Sequence, residues 1–395
     1  MLVSTGDPTR SGSACDCVTE ITPERAQALL TAGYKTVGRY LSNVAYTSLN
    51  KKIQDGELAT IASQGLSVFP IYQTYGGEAN YFSEEQGFSD GLAAIARARS
   101  YGFRSGTRIY FAVDFDALDY QITDNVIPHF QGITNAITTY GPQYDVGIYG
   151  PRNACSRVSI QGLASASFVS DMSTGFSGNL GYPLPTNWAF DQISTIGVGT
   201  GSGYIEIDNN IASGLDVGQR AFDPAPLFEY PDVSFNLAHR DSLLADLQTY
   251  LEGIGVPEQG GETPAEAGTY FINTTTEAFD KVLEFDDLVT QLARTLKLRK
   301  ALIQTPLFWE IRKSNVDEPP ADALVRSYYA GTGGIDDSST GIGQIKAKTA
   351  INSRNTCIDE GIVYGSKKSA DLPNDVWEEW QLLNESETHN VAHRN

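Results

Sequence analysis

Arg108-Ile-Tyr-Phe-Ala-Val-Asp-Phe-Asp116 is the stretch on which the reading of the fold turns. An apolar run ends in two acids spaced one residue apart. On a strand, residues i and i+2 share a face, so the spacing predicts Asp114 and Asp116 side by side at a strand's C-terminal end. In a barrel of alternating strands and helices that end carries the chemistry, and two carboxylates in one cleft are the usual means of cleaving a glycosidic bond. A strand end with two solvated acids is the plainer alternative.

Outward from that stretch, residues 14 to 216 alternate strand-like and helix-like segments. Thr22-Pro23-Glu24 reads as an N-cap with Pro at the first helical position, opening a helix to about Ala32 that Gly33 closes. Strands are expected at 35–41, 66–73, 107–114 and 144–149, with shorter ones at 166–171, 186–192 and 204–208. Helices are expected at 55–64, 83–101 and 124–140. This order implies parallel strands with helical crossovers, and seven or eight of them in about 200 residues fit a compact (β/α) TIM-like barrel. A doubly wound open sheet is the second choice. No Gly-rich phosphate loop follows a strand, so nucleotide binding has no support.

The barrel reading gathers acidic and aromatic residues at strand ends: Asp16, Arg39, Tyr72, Gln73, Asp114, Asp116, Tyr149, Asp171, Trp188, Asp191, Gln192 and Asp208. Each alone suits a solvated turn; a barrel would converge them on one cleft.

The remainder changes character. Phe222-Asp-Pro-Ala-Pro-Leu227 opens a linker expected over 223–275, with a short helix at 241–253 and a Gly/Pro/Glu-rich connection at 255–268. From 276 to 395 the pattern is helical and predicts a second, all-α domain. Pro306 is expected to break or restart its helix, and Trp377 and Trp380 are spaced to dock one helix face. In Phe308-Trp-Glu-Ile-Arg312 the acid Glu310 lies among aromatics. Desolvation there would raise its pKa, as a general acid requires; pairing with Arg312 or Lys313 on a solvent face is the alternative.

Composition narrows the partners. A formal net charge of −20 and a pI near 4.5 argue against nucleic acid or an anionic membrane as a main partner. With 20 Tyr, 17 Phe and 4 Trp, aromatic faces for stacking on sugar rings are plentiful. Cys15, Cys17, Cys155 and Cys357 show no zinc spacing, and a bridge from Cys15 or Cys17 to Cys155 stays open alongside free thiols. His129, His239, His389 and His393 are scattered and match no catalytic metal motif; neither a metal nor an organic cofactor is expected. Residues 1–13 read as a flexible, polar start without a basic segment or apolar core of a signal peptide. No stretch approaches the roughly 18 apolar residues of a membrane span. A target outside the cell would be reached through lysis, a secretion or injection device, or a signal-independent route.

The ordered segments Cys15-Asp-Cys17, GYKTVGRYL (33–41), SVFPIYQ (67–73), IYFAVDFDA (109–117), YDVGIYG (144–150), FVSDMS (168–173), NWAFDQI (187–193) and IDNNIA (207–212) resemble the glycoside-hydrolase-like family known as domain of unknown function 1906. That family is related to the family-25 muramidases, which are (β/α) barrels. The resemblance, over about residues 14–217, implies that Asp16 matches the muramidases' first-strand Asp. It matches Asp114 and Asp116 to their Asp-x-Glu pair, Asp208 to the acid near their last strand, and Trp188 to Gln192 to their Trp/Gln segment. The muramidase general acid is Glu where this chain has Asp116, a side chain shorter by roughly 1.5 Å; misplacement of about 1 Å can cost on the order of 100-fold in rate.

Farther on, Ser338-Ser-Thr-Gly-Ile-Gly-Gln-Ile345 resembles the Gly-Leu-Met-Gln-Ile loop of goose-type lysozymes and lytic transglycosylases, which follows a helix-end Glu. By that resemblance, over about 280–360, Glu310 is the acid/base, Gly341 and Gln344 shape the sugar site, and Asp336 or Asp337 positions water. Together these readings imply a cell-wall glycan (peptidoglycan) hydrolase. The alternatives are a non-catalytic glycan-binding or secretion-system cargo protein and a toxin acting on another glycan.

Overall fold

The computed structural model describes residues 13–44, 47–224, 232–259, 273–313 and 318–393. The chain divides into two compact units, Met1–Glu229 and Tyr230–Asn395.

The first unit is a closed eight-stranded barrel with strand order β1 to β8. Its strands are β1 (Ala14–Asp16), β2 (Thr36–Tyr40), β3 (Ser67–Tyr72), β4 (Thr107–Ala112), β5 (Tyr144–Gly150), β6 (Ala166–Val169), β7 (Trp188–Val198) and β8 (Ile205–Ala212). The helices outside are α1 (Pro23–Thr31), α2 (Glu57–Ser63), α3 (Glu84–Ser100), α4 (Asp119–Gln121), α5 (Ile127–Tyr140) and α6 (Arg152–Ile160), with a π-helical turn at Ile122–Val126 leading into α5. The Thr22 hydroxyl accepts from the Arg25 N–H at the start of α1, the cap its sequence predicts.

Closure of β1 on both β2 and β8 excludes the open sheet. One feature departs from the all-parallel expectation. Strand β8 is antiparallel to both neighbours. Between Val198 and Ile205 the chain is short and Gly-rich, room for a hairpin but not for the dozen residues of a crossover helix.

Inward-facing aromatics fill the barrel. Phe69 stacks on Phe190 at a centroid distance of 4.2 Å and meets Tyr110 and Phe168 edge-on at 5.5 and 5.6 Å. Such contacts contribute about 0.5–1.5 kcal/mol each beyond burial. Gly38 makes this possible: a Cβ there would sit 2.6 Å from the Phe69 ring and 2.8 Å from the Asp16 Cβ.

The second unit contains α7 (Arg240–Gly253), α8 (Thr275–Glu284), α9 (Asp286–Leu296), α10 (Lys300–Lys313), α11 (Glu318–Tyr329), α12 (Ala347–Asp359), α13 (Pro373–Glu385) and α14 (Glu387–His393), with a two-stranded ribbon of β9 (Ser339–Thr340) and β10 (Ile345–Lys346). Part of the stretch read as linker is folded into this unit. Arg240 of α7 pairs with Asp280, and the Phe235 N–H donates to Asp286. Pro306 lies inside α10, which runs through it, so the expected break does not occur. Trp377 and Trp380 do share one face of α13, stacked at 5.7 Å, and Tyr329 stacks on Trp377 at 4.7 Å. No helix among the described residues is long and apolar enough to cross a membrane. Cys15, Cys17, Cys155 and Cys357 are free thiols.

Candidate active site at the barrel mouth

The C-terminal ends of the parallel strands gather a carboxylate cluster. Asp16 is the last residue of β1, and antiparallel pairing sets it directly against Asp208 of β8. Alternation along β7 turns Phe190 into the core and Gln192 toward these acids. The Gln192 amide donates to Asp16 Oδ1 at 3.0 Å and to Asp208 Oδ2 at 3.4 Å, and its carbonyl oxygen accepts from the Tyr149 hydroxyl at 2.8 Å. Asn210 Nδ2 donates to Asp16 Oδ1 at 2.9 Å, and the Thr195 hydroxyl donates to Asp208 at 2.5 Å.

On the facing side, Gln73 Nε2 donates to Asp114 Oδ2 at 3.0 Å while Lys51 Nζ donates to Gln73 Oε1 at 2.8 Å. The same ammonium lies 4.3 Å from the centre of the Tyr40 ring.

The electrostatics follow from burial. Asp16 is 1% exposed; desolvation, then the charge of Asp208, push its carboxyl up to about 7 against the pull of the Asn210 and Gln192 amides. Asp208 is also raised, first by burial and then by the charges of Glu206 and Asp114. Lys51 is lowered to about 8 by burial, opposed by Asp114. Tyr40 and Tyr149 are raised well above the usual phenol, by burial first and then by the surrounding acids, so both are neutral donors. The mouth can therefore hold a proton near neutral pH between two carboxyls, with a third carboxylate nearby.

Asp16, Gln73, Asp114, Tyr149, Gln192 and Asp208 thus come together. The other residues read from strand ends do not. Arg39 points out of the barrel, fully buried, to Glu57 of α2 at 2.7 Å and to the Cys17 carbonyl. Tyr72 also faces outward and donates to Asp90 of α3. Asp171 pairs with Arg152 of α6, and Asp191 lies on the same outer side, where its charge reaches Arg152. Trp188 opens β7, four residues and about 13 Å of strand from Gln192.

Asp114 and Asp116 part company because β4 stops at Ala112. A tight turn closed by the Ala117 N–H on the Phe115 carbonyl breaks the extended geometry. Asp116 then accepts from the Ser177 N–H and hydroxyl at 2.6 and 2.7 Å, anchoring the loop after β6. Residues that strand-end reasoning missed are Lys51, Thr195 and Asn210. Asn210 was findable as the same-face neighbour of Asp208; Lys51 comes from a loop without a signal.

In the helical unit, Ile311 of α10 and Gly341 and Ile342 of the Gly-rich loop line one cavity of about 540 Å³. Glu277, Asp280, Lys281, Glu284 and Glu387 share it. Glu310, next to Ile311, is half-buried. Gly341 is imposed by packing: at φ +68° a Cβ would meet Asn390 Nδ2 and the Leu383 carbonyl, each at 2.3 Å. Gln344, at φ +49°, donates its amide back to the Gly341 carbonyl at 2.9 Å. Asp337 accepts the Ala347 and Lys348 N–H groups at the start of α12, and Asp336 pairs with Lys348 at 2.5 Å.

Residues 27–212, a little under half of the chain, match the family described as Rv2525c-like, glycoside hydrolase-like domain. The chain is 58% identical over 246 residues to the uncharacterized protein FadG of Bacillus subtilis (strain 168), and 53% identical over 232 residues to the uncharacterized protein YbfG of the same strain. Those matches take in 61% and 57% of this chain but 43% and 32% of the relatives, so less than half the length of either is spanned. Among solved structures, the Tat-secreted protein Rv2525c of Mycobacterium tuberculosis, in complex with HEPES, is 20% identical with a TM-score of 0.42, covering 53% of this chain and 99% of that one. An uncharacterized protein of B. stearothermophilus is 19% identical with a TM-score of 0.38, covering 51% and 95%.

Proposed function

We propose that the barrel mouth is a glycan site and that the chain hydrolyses glycosidic bonds of a cell-wall glycan. The observation that carries this reading is the Asp16–Asp208 pair, Asp16 buried and Asp208 half-buried, bridged by Gln192, with Asp16 raised to about 7. A carboxyl that keeps its proton near neutral pH is what protonation of a leaving oxygen requires. Asp208, the more exposed of the two, meets the substrate. Asp114, oriented by Gln73, stabilises positive charge developing at the sugar's anomeric carbon. Tyr40 and Lys51 line the approach, and the Tyr149 hydroxyl fixes Gln192. The glycoside hydrolase-like family match over 27–212 supports the same class of chemistry. In the helical unit, Glu310 is not among the residues that line the cavity of Ile311 and the Gly341 loop, so a second, lysozyme-like glycan cleft with Glu310 as its acid rests on the sequence resemblance alone.

One observation favours a second reading, a binding or cargo protein without turnover. Asp116, which the sequence resemblance matches to the muramidase acid, is held by two hydrogen bonds from Ser177.

The test is mass spectrometry of soluble products from purified peptidoglycan incubated with wild type, Asp16→Asn, Asp114→Asn, Asp208→Asn, Asp116→Asn and Glu310→Gln. Loss of muropeptides with Asp16, Asp114 or Asp208 substituted, and retention with Asp116→Asn, is expected for the barrel site. Loss only in Glu310→Gln moves the activity to the helical unit. No product from wild type across walls of several chemotypes, with retained pull-down on insoluble wall, establishes the binding reading instead.

A further inference from the structure

Two of the four histidines meet in the second unit. His389 and His393 are one turn apart on α14, and both aim Nε2 at Oε1 of Glu379, a buried residue of α13. The distances are 2.9 Å from His389 and 3.6 Å from His393. All three donor atoms lie within 4.8 Å of one another. We propose that Glu379, His389 and His393 bind a single first-row divalent cation of the zinc class.

Ligand geometry supports this. Donors about 2.0–2.2 Å from a tetrahedral cation lie about 3.3–3.6 Å apart. The two contacts to Glu379 Oε1 bracket that edge within a few tenths of an ångström.

The tautomer of His393 fits as well. Its Nδ1 lies 2.9 Å from the His389 carbonyl, and a carbonyl only accepts, so Nδ1 carries the hydrogen. In the neutral ring Nε2 is then a bare lone pair facing a carboxylate oxygen. A ligating histidine is usually oriented this way, with its other nitrogen donating to a backbone carbonyl. Lys368 Nζ holds the second carboxylate oxygen, Oε2, at 3.1 Å, which leaves Oε1 for the cation. His389 donates Nε2–H to Glu379 in the free protein. Loading the cation needs that Nε2 bare: a neutral His389 ring moves the hydrogen to Nδ1 with no net release, and a protonated ring gives up one proton to solvent. Two imidazoles and one carboxylate suit zinc or cobalt(II), and three ligands leave a fourth position for water. The Lys368 charge beside Glu379 opposes the cation, so a micromolar rather than a nanomolar constant is expected.

The experiment uses untagged full-length protein, titrated calorimetrically with zinc chloride and followed by visible absorption with cobalt(II). One equivalent bound and a tetrahedral cobalt spectrum are expected. His389→Gln and His393→Gln each weaken binding by about tenfold or more. Both residues are half-buried on the last described helix, and the circular dichroism of each variant verifies that it is folded. Cys357→Ser, the most accessible thiol removed, binds as wild type does. Zinc raises the unfolding temperature of the wild type and not of His393→Gln. No binding at about 100 µM metal, far above a micromolar constant, overturns the proposal. Unchanged binding in both histidine variants, or a thiolate–cobalt band lost in Cys357→Ser, overturns it too.

Discussion

Replacing Asp16 by Asn removes a titrating group from the floor of the barrel mouth while keeping its shape. In the native barrel its carboxyl is raised from 3.8 to about 7, because burial and then Asp208 disfavour the charge. A carboxyl raised on folding contributes stability that is fully present below its unfolded pKa and lost as pH rises through its folded one. The window is therefore about pH 4 to 7. At about 1.4 kcal/mol per pH unit, that rise corresponds to about 4 kcal/mol in total. Roughly 2–3 kcal/mol of it is lost between pH 5 and pH 8. Asp16 is fully buried, so no solvent screening reduces the figure. The asparagine amide of the variant still accepts from Gln192 and Asn210 and places an N–H toward Asp208. Denaturant-dependent hydrogen exchange, resolved by peptide, reads β1, β7 and β8 separately from the helical unit. From about pH 5 to pH 8 the barrel of Asp16→Asn is expected to lose roughly 2–3 kcal/mol less stability than wild type. Equal pH slopes in the two proteins would refute the burial argument for Asp16 and, with it, the proton store at the mouth.

Three further outcomes are expected. Arg39→Met leaves Glu57 buried without its counter-ion and costs about 3–5 kcal/mol in chemical denaturation, of which Arg39→Met with Glu57→Met recovers only part, because the Ile21 and Gln54 N–H groups then lose their acceptor. Gly341→Ala forces a Cβ against Asn390 and Leu383 at a left-handed residue, destabilising the helical unit by on the order of 2–4 kcal/mol by thermal unfolding and leaving barrel peptides unchanged in hydrogen exchange. Ser177→Ala removes one of two bonds to the exposed Asp116 and costs about 1 kcal/mol or less; faster exchange confined to the 173–182 loop is the expected signature.

The barrel was legible in the sequence because caps, closing glycines and apolar runs punctuate it at regular intervals. Asp16, Gln192 and Asp208 were in the strand-end list but not set apart in it, and Gln192 and Asp208 lie inside β7 and β8, which run on to Val198 and Ala212. Strand ends without parity also admitted Arg39, Tyr72, Asp171 and Asp191, whose neighbours one residue away are the ones that face inward. The direction of β8 was hidden: Gly197 to Gly203 signals a turn but not whether a crossover follows. The divergence of Asp114 and Asp116 depends on where β4 frays, two residues before the first of the acids. His389 and His393, read as scattered, come together one turn apart on α14, and Glu379, which faces them, comes from another helix and has no local mark.

The reversed last strand has an architectural consequence. Because β8 runs back down the barrel, the chain emerges on the side opposite the mouth. There Gln219 pairs with Val68, and Phe222 and Asp223 bind Phe103 and Gly102, strapping the chain across the floor. Among the described residues, the stretch 219–223 thus runs along the floor and takes no part in the rim. The two ends of the barrel therefore divide the labour, carboxylates gathered at one and the closing strap at the other.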